Sequence, residues 1–271
     1  MELRWLARKA YAAIPFKRQM FQPLRRLGLP EPIYRHLHFE GPFDTGLGFR
    51  LHAGGEVVEN ELFWGGGWEE LSLRTWRDLA RSAEGVLDIG ANTGVFALAA
   101  KAANPMANVT AFEPVKRIAD RLRKNIVLNG FEIVVEELAI SDRNGFATFH
   151  DCESEMPYSA SLEAGMAGNT FSYEVKTMTV DRYLGDKGWP KIDLVKIDVE
   201  KHEPAVFRGM RETIERFRPT MIVEVLTPEI GRELLLPGYS YSVIHEQRGL
   251  IATEVPKPLD GNNWNNLFRP Q

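Results

Sequence analysis

One cysteine, Cys152, stands in a chain of 271 residues. No intrachain disulfide framework and no structural zinc cluster built on thiolates can therefore form. A lone thiol fits a reducing compartment. The chain also lacks the run of roughly 18 apolar residues that a membrane-spanning helix needs. The N-terminus has no uninterrupted apolar signal core, because its best stretch, AYAAIPF, ends at Lys17. Without a long basic stripe, and with a net charge of −4, duplex nucleic acid is disfavoured as the main partner. G-x-G-x-x-G is absent, which weakens any pyrophosphate-binding dehydrogenase reading. Internal repeats and low-complexity tracts are missing too. The expectation is a soluble, cytoplasmic protein of near-average globular composition, 44% hydrophobic and 26% charged.

The charge is unevenly spread. Residues 1–38 carry eight Lys/Arg against Glu2 and Glu31, a net +6, leaving −10 for the remainder. Trp5, Leu6, Tyr11, Ile14, Phe16 and Phe21 interleave these cations. Such a segment could rest peripherally on an anionic membrane surface, or pack as an amphipathic arm on its own domain or a second subunit.

Residues 1–45 read as helical pieces broken by Pro23, Pro30, Pro32 and Pro42. LGFRLHA at 47–53 alternates as a short strand, and the WGGGW cluster at 64–68 is a flexible break. A helix is expected from about Trp68 to Ala83, with Leu71, Leu79 and Ala83 near one face. From residue 86 strands alternate with helices, the pattern of βαβ units and a parallel sheet. VLDIG, NVTAFE, EIVVEELAI, ATFHD, KIDLVKID and TMIVEVL are the expected strands. Helices are expected at 94–103, from Pro114 to Asn129-Gly130, and from Pro204 with Val206, Met210, Ile214 and Phe217 on one stripe. YSYSVIHE opens a terminal hairpin and NNWNNLF closes the tail. The aperiodic stretch 152–171 reads as a lid or binding loop, with Tyr158, Ser159 and Ser161 as acceptor contacts. The chain thus divides into a helical, basic lead-in over 1–84 and one α/β domain over 85–271.

Ligands of open α/β sheets bind outside the carboxyl ends of the strands. Those ends offer Asp88, Glu113, Ser141-Asp142, Asp198 with Glu200, and Glu224. Each also has an ordinary structural use. Asp88 can cap the next turn, Glu113 can cap the helix after it, and Asp142 in SDRNG can be a turn residue. In D-I-G-A-N-T-G (88–94), Gly90 and Gly94 let the backbone turn sharply and approach a ligand. The amides at the following helix start then face that ligand. Glu113, at the end of the next strand, is placed to accept hydrogen bonds from both ribose hydroxyls of a nucleoside. A nucleoside without phosphates beside an acidic edge suits a cationic sulfonium cofactor.

VLDIGANTGVFALAA, AFEP, AISDRNG, DLVKIDVEKHEPAVFRGM and RPTMIVEV, in this order over about 86–226, resemble the FkbM-type family of class I S-adenosylmethionine-dependent methyltransferases. The resemblance implies a Rossmann-like seven-stranded sheet with helices on both faces and an antiparallel last strand, preceded here by the mainly helical extension. It implies O-methylation of a sugar, glycan, glycolipid or polyketide-type acceptor. Carried over by position, Asp88, Gly90, Asn92 and Gly94 form the cofactor turn for S-adenosyl-L-methionine. Glu113 takes the ribose, Ser141 and Asp142 lie beside the adenine, and Asp198 and Glu200 belong to the acceptor side. The family usually has Gly after the glutamate of D-V-E-G, where this chain has Lys201.

A base within reach of the acceptor hydroxyl would assist transfer, and Asp198, Glu200, His202 and Glu224 are the candidates. His202 could equally cap the helix opened by Pro204. The same acids with His202 could instead hold Mg²⁺ or Mn²⁺, though no divalent metal is expected. Two other functions compete. For a nucleic-acid or other N-methyltransferase, IDVE stands where amino-group enzymes carry N/D-P-P-Y/F. The other is a non-catalytic binding module that keeps the cofactor pocket, and nothing obvious is missing from the cofactor turn.

Overall fold

The computed structural model describes residues 41–53, 58–59, 62, 68–152, 170–260 and 263–271. The basic N-terminal segment, the glycine cluster at 65–67 and the loop carrying Tyr158, Ser159 and Ser161 lie outside them. Two compact units separate, one ending at Trp68 and one starting at Glu69. In the first, β1 (Gly41–Asp44) pairs antiparallel with β2 (Arg50–Ala53), Gly41 opposite Ala53. The prolines had suggested broken helix up to residue 45. Yet Pro42 at an edge strand costs no ladder bond that a neighbour needs.

The second unit is built on an eight-stranded mixed sheet. Its strands are β3 (Gly85–Ile89), β4 (Asn108–Phe112), β5 (Val134–Glu136), β9 (Leu194–Ile197), β10 (Thr220–Glu224), β11 (Tyr239–His245), β12 (Gly249–Thr253) and β13 (Asn265–Pro270), in the order β12-β11-β13-β10-β9-β3-β4-β5. β13 runs antiparallel between β10 and β11. The expected seven-stranded arrangement is therefore present, with β12 added as an edge hairpin. A separate three-stranded sheet, β6-β8-β7, holds β6 (Ala139–Ile140), β7 (Gly145–Cys152) and β8 (Thr170–Met178). EIVVEELAI is thus two strands in two sheets. β8 escapes the sequence reading because its alternation begins inside the long polar stretch.

Flanking helices complete the layers. α1 (Glu70–Ala80) buries Leu73, Trp76 and Ala80; of the expected face, Ala83 is buried just beyond the helix end, while Leu71 and Leu79 are only partly buried. The Trp76 indole N–H donates to the Phe96 carbonyl at 2.8 Å in α2 (Val95–Ala103). That bond selects the tryptophan face. α3 (Lys116–Asn129) buries Ile118, Leu122 and Ile126 and stops at Gly130, φ 64, as its sequence foretold. Pro114, however, lies before the N-cap Val115 instead of inside the first turn. α4 (Val180–Lys187) precedes β9. α5 (Glu203–Gly209) and α6 (Arg211–Phe217) divide at Met210 one expected helix, while Val206, Met210 and Ile214 remain buried on one stripe. α7 (Pro228–Glu233) follows β10.

Strand alternation assigns the two faces of the sheet. Leu87, Ile89, Phe112, Val195, Ile197, Met221 and Val223 pack with α4–α7 residues in one large core. The opposite face carries Asp88 and Lys196, paired in register. Asp198 and Glu224 follow on that same face by the period of two, beneath α1 and α2.

Candidate active site

The turn between β3 and α2 is fastened to the end of β4. Gly90 N–H and Ala91 N–H both donate to the Phe112 carbonyl at 3.0 Å. Glu113, buried just beyond that carbonyl, accepts from Asn92 N–H at 2.9 Å with Oε2 and from Val115 N–H at 2.9 Å with Oε1. Each carboxylate oxygen has a further lone pair for a hydroxyl donor. Asn92 takes the left-handed conformation, φ 49, and its Oδ1 accepts from Thr93 N–H at 2.7 Å. Burial pushes the Glu113 carboxyl up to about 7, against the pull of its two amides and of Arg117.

The two turn glycines answer to the protein itself. Gly90 has φ +81, and a Cβ there would lie 1.8 Å from the Asp198 carbonyl oxygen. Gly94 has φ +94, and its Cβ would meet Leu122 Cδ1 at 2.1 Å. Sequence reasoning took them for close approach to a ligand. Their first constraint is close approach of β9 and α3. Asp88 is likewise an internal cap: its buried Oδ2 accepts from Ala97 N–H in the first turn of α2 at 2.8 Å. Burial raises its carboxyl to about 7, with Lys196 and the Ala97 amide opposing.

Ser141, buried at the end of β6, bonds His202 Nε2 through Oγ at 3.0 Å. His202 is the N-cap residue of α5, but its side chain makes no capping bond. Asp142 is exposed and held by Arg208, whose Nε and an Nη donate to Oδ2 at 3.1 and 3.0 Å. Burial alone would raise Asp142; these bonds outweigh it and hold the carboxyl low. Ser141, Asp142 and His202 thus form one group with α5.

The acceptor-side acids form another. Asp198, Glu200 and Glu224 each bring a carboxylate oxygen within 4.8 Å of the others, and His202 is outside the trio. The spacing would admit one hard divalent cation with oxygen ligands. A cation of the chain is already in place, however. Lys196 is 1% exposed, and its Nζ donates to Asp198 Oδ2 at 2.9 Å. Burial drives Glu200 up to about 8, reinforced by Asp198 and Glu203. Glu224 rises well above its ordinary range for the same first reason, with Asp198 and Glu200 adding to it. Glu203, fully buried, holds the turn by accepting from Val199 N–H at 3.3 Å and Lys201 N–H at 3.2 Å.

The family model of the methyltransferase FkbM domain matches residues 88–244, more than half of the chain. The chain belongs to the FkbM methyltransferase family. Among relatives, it is 28% identical over 206 residues to the 31-O-demethyl-FK506 methyltransferase FkbM of Streptomyces tacrolimicus, covering 65% of this chain and 79% of that one. It is 32% identical over 148 residues to the 2-O-methyltransferase NoeI of Sinorhizobium fredii, covering 49% and 60%. The hexuronic acid methyltransferase AglP of Haloferax volcanii is 27% identical over 157 residues, covering 58% and 62%. The crystal structure of methyltransferase FkbM from Methylobacillus flagellatus KT aligns with a TM-score of 0.45 at 14% identity, over 93% of this chain and 70% of that one.

Three side chains of this FkbM methyltransferase escaped the sequence reading. Lys196 has a signal: a lysine inside an otherwise apolar central strand, two residues before an aspartate, can hardly be fully buried without a partner. Glu203 has the weaker signal of an acid at a helix start. Glu69 has none. It sits at φ 43 before α1, and its Oε2 accepts from Asn265 Nδ2 at 2.8 Å. Burial lifts it to about 7 although Lys196 pulls it down.

The Lys201 departure also has a physical reading. Glu200 and Lys201 both have positive φ, 53 and 75, which costs an L-residue about 1–2 kcal/mol. The family's glycine relieves that cost, so this FkbM methyltransferase keeps the turn under strain. Lys201→Gly should raise the unfolding free energy by about 1 kcal/mol in denaturant melts. An unchanged or lower midpoint would show that Lys201 repays its strain through a contact.

Proposed function

We propose that this methyltransferase uses S-adenosyl-L-methionine to methylate a hydroxyl of a sugar, glycan, glycolipid or polyketide-type acceptor. The observation that carries the reading is the Glu113 carboxylate, held by the Asn92 and Val115 amides at the tip of the strand beside the glycine turn. An acid fixed there has the geometry to accept from a ribose. The relatives' names, which point to an O-demethyl-FK506, a 2-O position and a hexuronic acid, favour an oxygen acceptor of that class.

The fit to the cofactor rests on this donor set. Glu113 would hold the ribose, the turn at Asn92 would present its backbone to the amino-acid end, and Ser141 with Asp142 would border the adenine. When bound, S-adenosyl-L-methionine supplies the methyl group as a sulfonium substituent that is displaced in line by oxygen. The chain's own part is alignment, which contributes on the order of 7–11 kcal/mol in such reactions, and removal of the hydroxyl proton. Asp198 faces the acceptor side with one oxygen tied to Lys196. Among the candidates Asp198, Glu200, His202 and Glu224, Asp198 is our choice of base.

Incubation with methyl-labelled cofactor and a panel of hydroxylated sugars, glycolipids and macrolactones tests the reading. Label should move to oxygen in at least one carbohydrate or polyketide-type acceptor. Transfer to RNA or protein amines with none to hydroxyls would overturn it.

A further inference from the structure

The acids on the α1/α2 face of the sheet pose an electrostatic problem. Asp198, Glu200 and Glu224 lie together, Glu224 is 8% exposed, and its Oε2 has no hydrogen-bond partner among the described residues. Buried charges of one sign are expensive unless a fixed opposite charge meets them. Lys201, in the turn, acts on Glu200; Lys196 is the buried ammonium of this group, and acids from several elements surround it. Asp198 comes from its own strand. Asp88 is its register partner on β3, Glu224 comes from β10, and Glu69 precedes α1. From α2, the Phe96 ring lies 4.9 Å from Nζ.

We propose that Lys196 is the positioning residue of the acceptor centre: its buried ammonium holds the Asp198 carboxylate in place and balances the Asp198, Glu200 and Glu224 trio, the task a divalent cation would otherwise perform. Burial alone would drive its proton off; Asp198, then Glu69 and Glu224, outweigh burial and keep it firmly charged. The ammonium is covalently anchored to the central strand, so the trio needs no metal for its charge balance. The proposal rests on the acceptor-side assignment of Asp198. Its test does not need an acceptor or a cofactor.

Lys196→Met removes the charge and keeps the length. With the ammonium gone, the three carboxylates repel, and the folded state holds protons that the unfolded chain releases. Stability is therefore lost as pH rises from ordinary carboxylate values through the raised ones near 8. The gap in melting temperature between wild type and Lys196→Met should widen from pH 5.5 to pH 9, and adding Glu224→Gln should narrow it at pH 9. Lost packing alone would give a pH-independent gap. Titration with Mn²⁺ should find little binding to wild type and at least ten-fold tighter binding to Lys196→Met. A constant gap with pH, whether or not Glu224→Gln is added, overturns the proposal. So does tight Mn²⁺ binding by wild type that disappears in Glu224→Gln. If Lys196→Met folds at no pH, the double variant decides: folding restored by Glu224→Gln supports charge balance, and continued failure refutes it. Failure of S-adenosylhomocysteine to bind would sink the cofactor reading while leaving these results standing.

Discussion

Glu113→Ala weakens S-adenosylhomocysteine binding by about 100-fold or more, and Asp198→Asn changes it less than about three-fold. Two charge-assisted hydrogen bonds to ribose hydroxyls are worth roughly 1.5–3 kcal/mol each, and about 2.7 kcal/mol corresponds to two decades in affinity. Loss of Glu113 also frees the Asn92 and Val115 amides that its two oxygens now hold, so the turn loosens as well. Calorimetry on both variants reads the difference. Glu113→Gln separates the two effects, because it keeps an acceptor for one amide while losing the charge. Equal losses for Glu113→Ala and Asp198→Asn would mean that the two acids serve the same ligand.

Gly90→Ala should be the most damaging single change in the cofactor turn. The new methyl would lie 1.8 Å from the Asp198 carbonyl oxygen, a backbone atom that cannot swing aside. The residue would also keep φ +81, a region that costs a non-glycine residue about 1–2 kcal/mol. β3 or β9 must shift, breaking the bond from Asp198 N–H to the Ile89 carbonyl at 2.9 Å. The sum exceeds about 4 kcal/mol, the exceptional class of single substitutions. Thermal unfolding should show a variant that is largely unfolded or strongly destabilised at 25 °C. A fall of only a few degrees would show that the strands have slack that their hydrogen bonding does not reveal. Because β9 carries Lys196 and leads directly into Asp198, any surviving variant should lose acceptor-side order before it loses the α4–α7 core.

The sheet was legible in the sequence because its strands are short apolar runs that end in acids, and glycine-closed α3 was legible because Ile118, Leu122 and Ile126 keep strict helical spacing. What failed has physical causes. The Trp76 face of α1 is chosen by a hydrogen bond to a carbonyl 20 residues away. β8 is a strand whose polar positions face solvent, next to a region without period. EIVVEELAI looks continuous, yet β5 joins the large sheet and β6 the small one. In the site, the acids could be listed from strand ends alone, since the rule for open sheets selects them. Their roles could not. The cap at Asp88 was one of two readings the sequence left open, Asp142 belongs to Arg208, and Lys196 lies among Asp88, Asp198, Glu224 and Glu69, which come together only in the fold.

A crystal structure with S-adenosylhomocysteine is the most direct measurement of all. The account predicts both ribose hydroxyls on Glu113, the thioether sulfur turned toward Asp198, and the nucleoside lying across the bend that follows Ile89. A nucleoside seated elsewhere, or a Glu113 carboxylate that swings away from it, would contradict the account.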